Sequence, residues 1–219
     1  MDSRITVISQ QNSYINHVLH EMRDKNIQRD RLRFRTNLCK MGEIVAYEMS
    51  KQLIYSPHEV TTPLGTLDIN LLIDQPILVS ILRAGVPFHE GLLRFFDRAD
   101  NGFISAYRHH TEGNEFVVKI EYMAVPEITN RDLILVDPMI ATGRSIVLSY
   151  EALVESAGRP SQVFIAGVIA SDEGLDYVLR KIPHAKIFVG TVDYELTAKA
   201  YIVPGLGDAG DLAFGPKGG

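Results

Sequence analysis

Leu133-Ile134-Leu135-Val136-Asp137-Pro138-Met139-Ile140-Ala141-Thr142-Gly143-Arg144-Ser145-Ile146-Val147 reads as a buried strand ending in an aspartate, a short loop, and a helix that starts near Ser145. Four apolar residues without polar alternation suit a strand covered on both faces, as in a parallel α/β sheet. In such a sheet ligands sit outside the carboxyl ends of the strands, and the open N–H groups of a following helix favour a phosphate. Thr142 and Ser145 add hydroxyl donors, and Gly143 lets the backbone approach closely. Thr-Gly-x-Ser alone would also fit a capped helix after a turn; the apolar strand and Asp137 in front of it favour the phosphate. The ATP-type loop is excluded, because it needs a lysine after its second glycine and none is present.

Outward from this stretch the same grammar repeats. Apolar runs at Ile77–Leu82, Phe103–Tyr107, Phe116–Tyr122, Val163–Ile169 and Ile187–Val192 read as strands. Helical stretches at His89–Phe96, Ser145–Ser156 and Glu173–Lys181 fall between several of them, and this alternation predicts a mainly parallel sheet. The turn cluster Arg108-His109-His110-Thr111-Glu112-Gly113-Asn114-Glu115 between two apolar runs predicts a projecting hairpin over about 104–123. Its two histidines have no carboxylate or cysteine partner at ligand spacing, so they read as surface residues rather than a metal site.

Before Pro57 the apolar positions recur at helical spacing, as Val18, Leu19, Met22 and then Leu38, Met41, Ile44, Val45, Met49, Leu53, which predicts two helices. Between them Arg23 to Arg35 is basic but interleaved with acids, and reads as a solvated or subunit-facing surface rather than an anion site. The 219 residues carry 22 Lys and Arg against 27 Asp and Glu, a net charge of −5 with pI near 5.8. No global field therefore draws the chain onto nucleic acid or an acidic membrane. Lone Cys39 excludes an internal disulfide or a multi-cysteine zinc site, reads as a small buried hydrophobe, and fits a reducing, cytoplasmic compartment. The first residues lack the apolar core of a signal peptide, and no apolar run approaches the roughly 18 residues of a bilayer span.

Two further segments carry chemistry. Ser80-Ile81-Leu82-Arg83-Ala84-Gly85-Val86-Pro87 places a guanidinium fork and close backbone at a strand end, both suited to a diphosphate. Tyr201-Ile202-Val203-Pro204-Gly205-Leu206-Gly207-Asp208-Ala209-Gly210-Asp211-Leu212-Ala213-Phe214-Gly215 is the least generic stretch of the chain. Its G-x-G-x-x-G spacing is coincidental, because the dinucleotide fingerprint needs a strand and an acid further on and only nine residues follow Gly210. Its exposed backbone groups can instead read the donors and acceptors on a flat pyrimidine edge; by itself it would also fit a flexible tail.

Apolar strand, acid and Ala-Thr-Gly-x-Ser together resemble the phosphoribosyl-diphosphate (PRPP) motif of type I phosphoribosyltransferases. The Tyr201–Asp211 stretch is similar to the C-terminal uracil-binding signature of the uracil phosphoribosyltransferases, and the likeness runs from about Ile77 to Phe214 and takes in the N-terminal helices. The resemblance implies the type I phosphoribosyltransferase fold: an α/β core over 57–193, an N-terminal helical segment 1–56 and a small hood 194–219, forming one domain. It implies transfer of 5-phosphoribosyl from PRPP to N1 of uracil, giving UMP and diphosphate in pyrimidine salvage. Carried over by motif, Arg83 and Arg108 meet PRPP, and Asp137, Pro138, Met139, Ile140, Ala141, Thr142, Gly143, Arg144 and Ser145 form its ribose and phosphate loop. Ile202, Gly207, Asp208 and Ala209 meet uracil, and Asp208 also touches PRPP. Arg83, Asp137 and Asp208 are the catalytic candidates, with Asp208 polarising uracil through a hydrogen bond.

A Mg²⁺ cofactor held mainly by PRPP is implied too, along with a homo-oligomer, dimer or tetramer, and GTP as an allosteric activator, although no stretch of this chain marks a second nucleotide site. Two positions depart from the family pattern: Arg144 stands where Gly is usual, and Thr197-Ala198-Lys199-Ala200 precedes Tyr201 in place of an Asn-Glu-His-like sequence. Arg144 also occurs in the RNA-binding pyrimidine-operon regulators of the same fold, and a purine-using phosphoribosyltransferase shares the phosphate loop. The complete Gly-Leu-Gly-Asp-Ala-Gly tail favours uracil over both, and the acidic pI opposes RNA.

Overall fold

The computed structural model describes residues 2–110 and 116–217, and every side chain among them apart from those of 106–110 and 116–119. The first half runs β1 (Ile5–Val7), a 3-10 turn (Ile8–Gln10), α1 (Ile15–Arg23), α2 (Arg31–Ser50), β2 (Tyr55–Thr62), β3 (Gly65–Leu72), β4 (Ile77–Leu82) and α3 (Gly85–Phe95). It continues with β5 (Asp100–His110), β6 (Phe116–Ala124), β7 (Asp132–Val136), β8 (Met139–Ile140), α4 (Arg144–Ala157), β9 (Gln162–Ser171) and α5 (Asp172–Lys181). The last elements are β10 (Lys186–Asp193), β11 (Glu195–Leu196), β12 (Ile202–Val203) and α6 (Ala209–Phe214).

The central sheet has the order β1-β10-β9-β7-β4-β5-β6, with β8 pairing β9. Every pairing in it is parallel except β5 with β6. Residues of the central strands alternate between two apolar layers, as a period of two requires. Ile77, Val79, Leu133, Leu135, Val163 and Ile165 face a layer closed by α4 and α5. Leu78, Ile134, Val136, Phe164 and Ala166 face one closed by α1, α2, α3 and the C-terminal segment. The expected α/β architecture is therefore present, with its mainly parallel sheet, two N-terminal helices and an antiparallel β5–β6 pair; of the turn cluster anticipated there, Thr111 to Glu115 lie outside the described residues.

From β4 the chain turns through α3 to β5 on one side, while β7 lies on the other side of β4 and leads through α4 to β9. The carboxyl ends of β4 and β7 thus flank a topological switch, the place where an open α/β sheet forms its crevice.

Several expectations need correction. Helix α3 starts at Gly85 and not His89, because Pro87 falls in its first turn, where its missing N–H has no intrahelical use. The connection after Arg83 is therefore the helix start itself. Residues 55–72 form a separate antiparallel ribbon of β2 and β3 that the reading above did not anticipate, and β1 adds an unanticipated parallel edge beside β10. The Arg23–Arg35 run is not simply a solvated face: Arg23 and Arg35 bond the C-terminal segment, as described below. Of the two readings open for the glycine-rich end taken alone, the loose tail is excluded, since Ile202, Leu206, Ala209 and Ala213 are buried in the helical layer. No helix among the described residues is long and apolar enough to cross a membrane.

Candidate active site

Four adjacent parallel strands, β4, β7, β9 and β10, each deliver one residue to the same edge of the sheet. Arg83 follows β4, Asp137 follows β7, Ser171 ends β9 and Asp193 ends β10. Two of these face the crevice and two brace the loops that surround it.

The loop after β7 is built from the backbone. The N–H groups of Val168 and Ile169 donate to the Pro138 carbonyl at 3.1 and 3.0 Å, and Met139 and Ile140 pair with β9. Pro138, Ile140 and Ala141 turn their side chains inward and offer backbone to the crevice, whereas Asp137, Met139, Thr142 and Ser145 are half-buried and Arg144 is exposed. Asp137 Oδ1 accepts the Met139 N–H at 3.2 Å, which fixes the carboxylate at the loop's entry. Buried Ser171 is the support that sequence reading missed: its hydroxyl donates to the Ala141 carbonyl at 2.5 Å and accepts the Gly174 N–H at 2.9 Å. A Ser at a strand end followed by Asp172 and Glu173 carries a helix-cap signal, and that was the clue available.

Gly143 has φ +71°, and a Cβ there would lie 2.7 Å from both the Gly174 carbonyl oxygen and Val178 Cγ2. Glycine is required both for the left-handed turn and for the contact with α5. Helices α2, α5 and α6 are capped by Asp30, Ser171 and Asp208, but α3 and α4 receive no capping hydrogen bond from a described side chain. The α4 start thus meets the crevice without a side-chain cap, as an anion site requires, whereas in α3 the Val86 N–H already donates to the Arg83 carbonyl at 3.1 Å and Pro87 has no N–H to offer.

The C-terminal segment arches over this edge. The Val203–Pro204 and Leu82–Arg83 peptides are both cis. Arg83 Nη2 donates to Asp211 Oδ1 at 2.9 Å and to the Gly215 carbonyl at 3.3 Å, joining the diphosphate-type motif to the pyrimidine-type motif. Asp208 is exposed and its Oδ1 accepts the Asp211 N–H at 3.0 Å, so one carboxylate oxygen caps α6. Ile202 and Ala209 are 4% and 2% exposed, so any contact they make with a base is through the backbone; Gly207 is exposed with φ +94°. Arg108 extends β5 beyond its pairing with β4, which places its backbone on this side of the sheet, and its side chain lies outside the described residues.

Gly205, at φ +61°, is gripped on both sides. Its N–H donates to Asp193 Oδ2 at 2.7 Å, and its carbonyl accepts from Arg23 Nη1 at 3.1 Å. Arg23 in turn forks onto Asp193 through two 2.8 Å hydrogen bonds. Burial pushes the Asp193 carboxyl up, but the hydrogen bonds from Arg23 and Gly205 and the Arg23 charge outweigh it and hold the group below the usual carboxylate range. Arg35 Nη1 donates to the Ala213 carbonyl at 2.7 Å. A cavity of about 520 Å³ opens beside the arch, lined by Arg23, Lys25, Gln28, Gly205, Gly207 and Asp208 among others, with no residue of the 137–145 loop in its wall.

A uracil phosphoribosyltransferase family model matches residues 8–216. A uracil phosphoribosyltransferase of Porphyromonas gingivalis is 46% identical over 208 residues, covering 94% of this chain and 96% of the relative. One from Pyrococcus furiosus is 39% identical over 205 residues, covering 92% of this chain and 86% of the relative. Among solved structures, the AQ2163 protein of Aquifex aeolicus superposes with a TM-score of 0.85 at 32% identity, covering 96% of this chain and 98% of that one. Matched along nearly its whole length, the chain belongs to the uracil phosphoribosyltransferase family.

Proposed function

We propose that this protein transfers the 5-phosphoribosyl group of PRPP to N1 of uracil, forming UMP and releasing diphosphate, as in pyrimidine salvage. The observation that carries the reading is the Arg83 bridge to Asp211 and Gly215, because it puts a diphosphate-type cation and a pyrimidine-type loop in one crevice. The reaction is a displacement at the anomeric carbon with oxocarbenium character, so the protein has to orient the base at C1 and stabilise the departing diphosphate. The open α4 N-terminus, with Thr142 and Ser145, takes the 5'-phosphate; Asp137 lies toward the ribose hydroxyls; Arg83 and Arg108 take the diphosphate. The backbone of Ile202, Gly207 and Ala209 reads uracil, and the free side of the Asp208 carboxylate polarises it.

Mg²⁺ takes hard oxygen donors, and the half-buried Asp137 carboxylate at the crevice fits that chemistry, with the phosphates of PRPP supplying further oxygens. When bound it neutralises charge on the leaving diphosphate.

Residues 1–56, 57–193 and 194–219 act in this reading as helical segment, core and hood of one domain. Pairing of subunits into a dimer or tetramer is supported by the β2–β3 ribbon, where Leu67, Ile69 and Leu71 on one face are each more than 40% exposed. A cytoplasmic location fits the single, buried, free cysteine.

The test is incubation of the purified protein with PRPP and Mg²⁺ and, separately, uracil, cytosine, hypoxanthine and adenine, with and without GTP, resolving nucleotides by chromatography. UMP from uracil alone is expected; nucleotide from another base, or none from a folded sample that binds PRPP, would overturn the assignment.

A further inference from the structure

Gly205 is bonded on both of its backbone polar groups by a single ion pair whose members come from distant parts of the chain. Arg23 ends α1, and Asp193 ends β10. The pair is held by two 2.8 Å hydrogen bonds, and the Asp193 side chain is 8% exposed. Arg23 reaches the Gly205 carbonyl, Asp193 reaches its N–H, and Gly207 and Asp208 follow directly in the exposed part of the loop. A guanidinium is the side chain suited to this task, since its planar fork satisfies both carboxylate oxygens and leaves N–H groups for a third partner.

We propose that Arg23 and Asp193 are positioning residues for the base: they set where the backbone at Gly207 and Asp208 lies, and so govern the affinity for uracil while leaving that for PRPP to the opposite wall of the crevice. This rests on the assignment of uracil as the acceptor. Neither side chain touches the 137–145 loop in any hydrogen bond or ion pair described above, and that loop has its own brace in Ser171. The 137–145 loop and the start of the arch thus have separate braces, and the link described above between the two sides is Arg83, which bonds the arch beyond Asp208, at Asp211 and Gly215.

Steady-state kinetics on Arg23→Ala and Asp193→Ala, with each substrate varied in turn, test the separation. Each variant is expected to raise KM for uracil by about tenfold or more, with KM for PRPP within about twofold of wild type. Arg23→Lys, which keeps the charge but loses the fork, is expected to lie between Arg23→Ala and wild type. The double alanine variant is expected to be little worse than either single one, because both remove the same support. Arg33→Ala, in the same basic run but paired with Glu21 away from the arch, is expected to match wild type. Thermal melts establish that the variants are folded; if the alanine forms are not, Arg23→Lys and Asp193→Asn carry the same comparison.

A uracil KM that stays within twofold of wild type, or a parallel rise in both KM values, overturns the proposal while leaving the activity standing. Absence of UMP formation by the wild-type protein overturns the activity itself and the proposal with it.

Discussion

Arg83 Nη2 and Asp211 Oδ1 lie 2.9 Å apart and join the end of β4 to the helix of the arch, in a pair whose side chains are 36% and 42% exposed. An ion pair this open to solvent contributes about 0.2–1 kcal/mol. Its importance lies in geometry, since among the described residues Arg83 alone bonds both the Asp211 side chain and the end of the arch at Gly215. Asp211→Ala is therefore expected to melt close to wild type, to raise KM for uracil by up to about fivefold, and not to raise KM for PRPP, because Arg83 is then left to the diphosphate. Paired melts and substrate-saturation curves check this.

Gly143→Ala puts a methyl group where the Gly174 carbonyl and Val178 already stand, on a residue with positive φ. The backbone term alone costs about 1–2 kcal/mol. Lower stability in urea and a higher KM for PRPP are expected together, with uracil affinity much less affected.

Asp208 caps α6 with one carboxylate oxygen and also lines the cavity beside the arch. Asn caps as well as Asp does, so Asp208→Asn keeps the helix and removes the charge. A fall in kcat of about tenfold or more, without a loss of stability, is the expected signature of a polarising role. Unchanged turnover and uracil affinity would reduce Asp208 to a cap.

His89 is buried on α3 against Phe103, ring centroids 5.3 Å apart. Burial pushes its pKa down, so the unfolded chain takes up the proton more readily. A group depressed in the folded state contributes its stability above the ordinary value, about 6.5, and loses it as pH falls through the lower folded value. Tm is expected to decline as the pH drops from about 7 toward 5, and His89→Leu is expected to flatten that decline. Melts across this range in wild type and variant decide it.

Much of the fold was legible because its strands speak plainly. Ile77–Leu82 has the same bounds in the sequence and the structure, and the other five anticipated runs each lie within an observed strand, since residues buried on both faces leave unbroken apolar runs. The β2–β3 ribbon was not, although Leu67, Ile69 and Leu71 alternate with Asp68 and Asn70, because it pairs only with itself and Pro57 interrupts its first strand. At the site, the phosphate loop and the glycine-rich arch were legible from local order. Their supports were not. Arg23 and Asp193 are 170 residues apart, and nothing local to either distinguishes a residue that grips Gly205 from an ordinary surface charge. Composition suggested that the Arg23–Arg35 run is solvated; topology made two of its arginines partners of backbone carbonyls.

Because Ile202, Leu206, Ala209 and Ala213 are packed into the layer formed by α1 and α2, the part of the chain assigned to the base is also a piece of the core. On the ribosome this has a temporal meaning. The sheet and both N-terminal helices are synthesised before Ile202, Leu206, Ala209 and Ala213, so the nascent chain keeps part of this apolar layer uncovered until those residues emerge. A chain stopped short of Ile202 is therefore expected to leave apolar surface of this layer exposed and to aggregate.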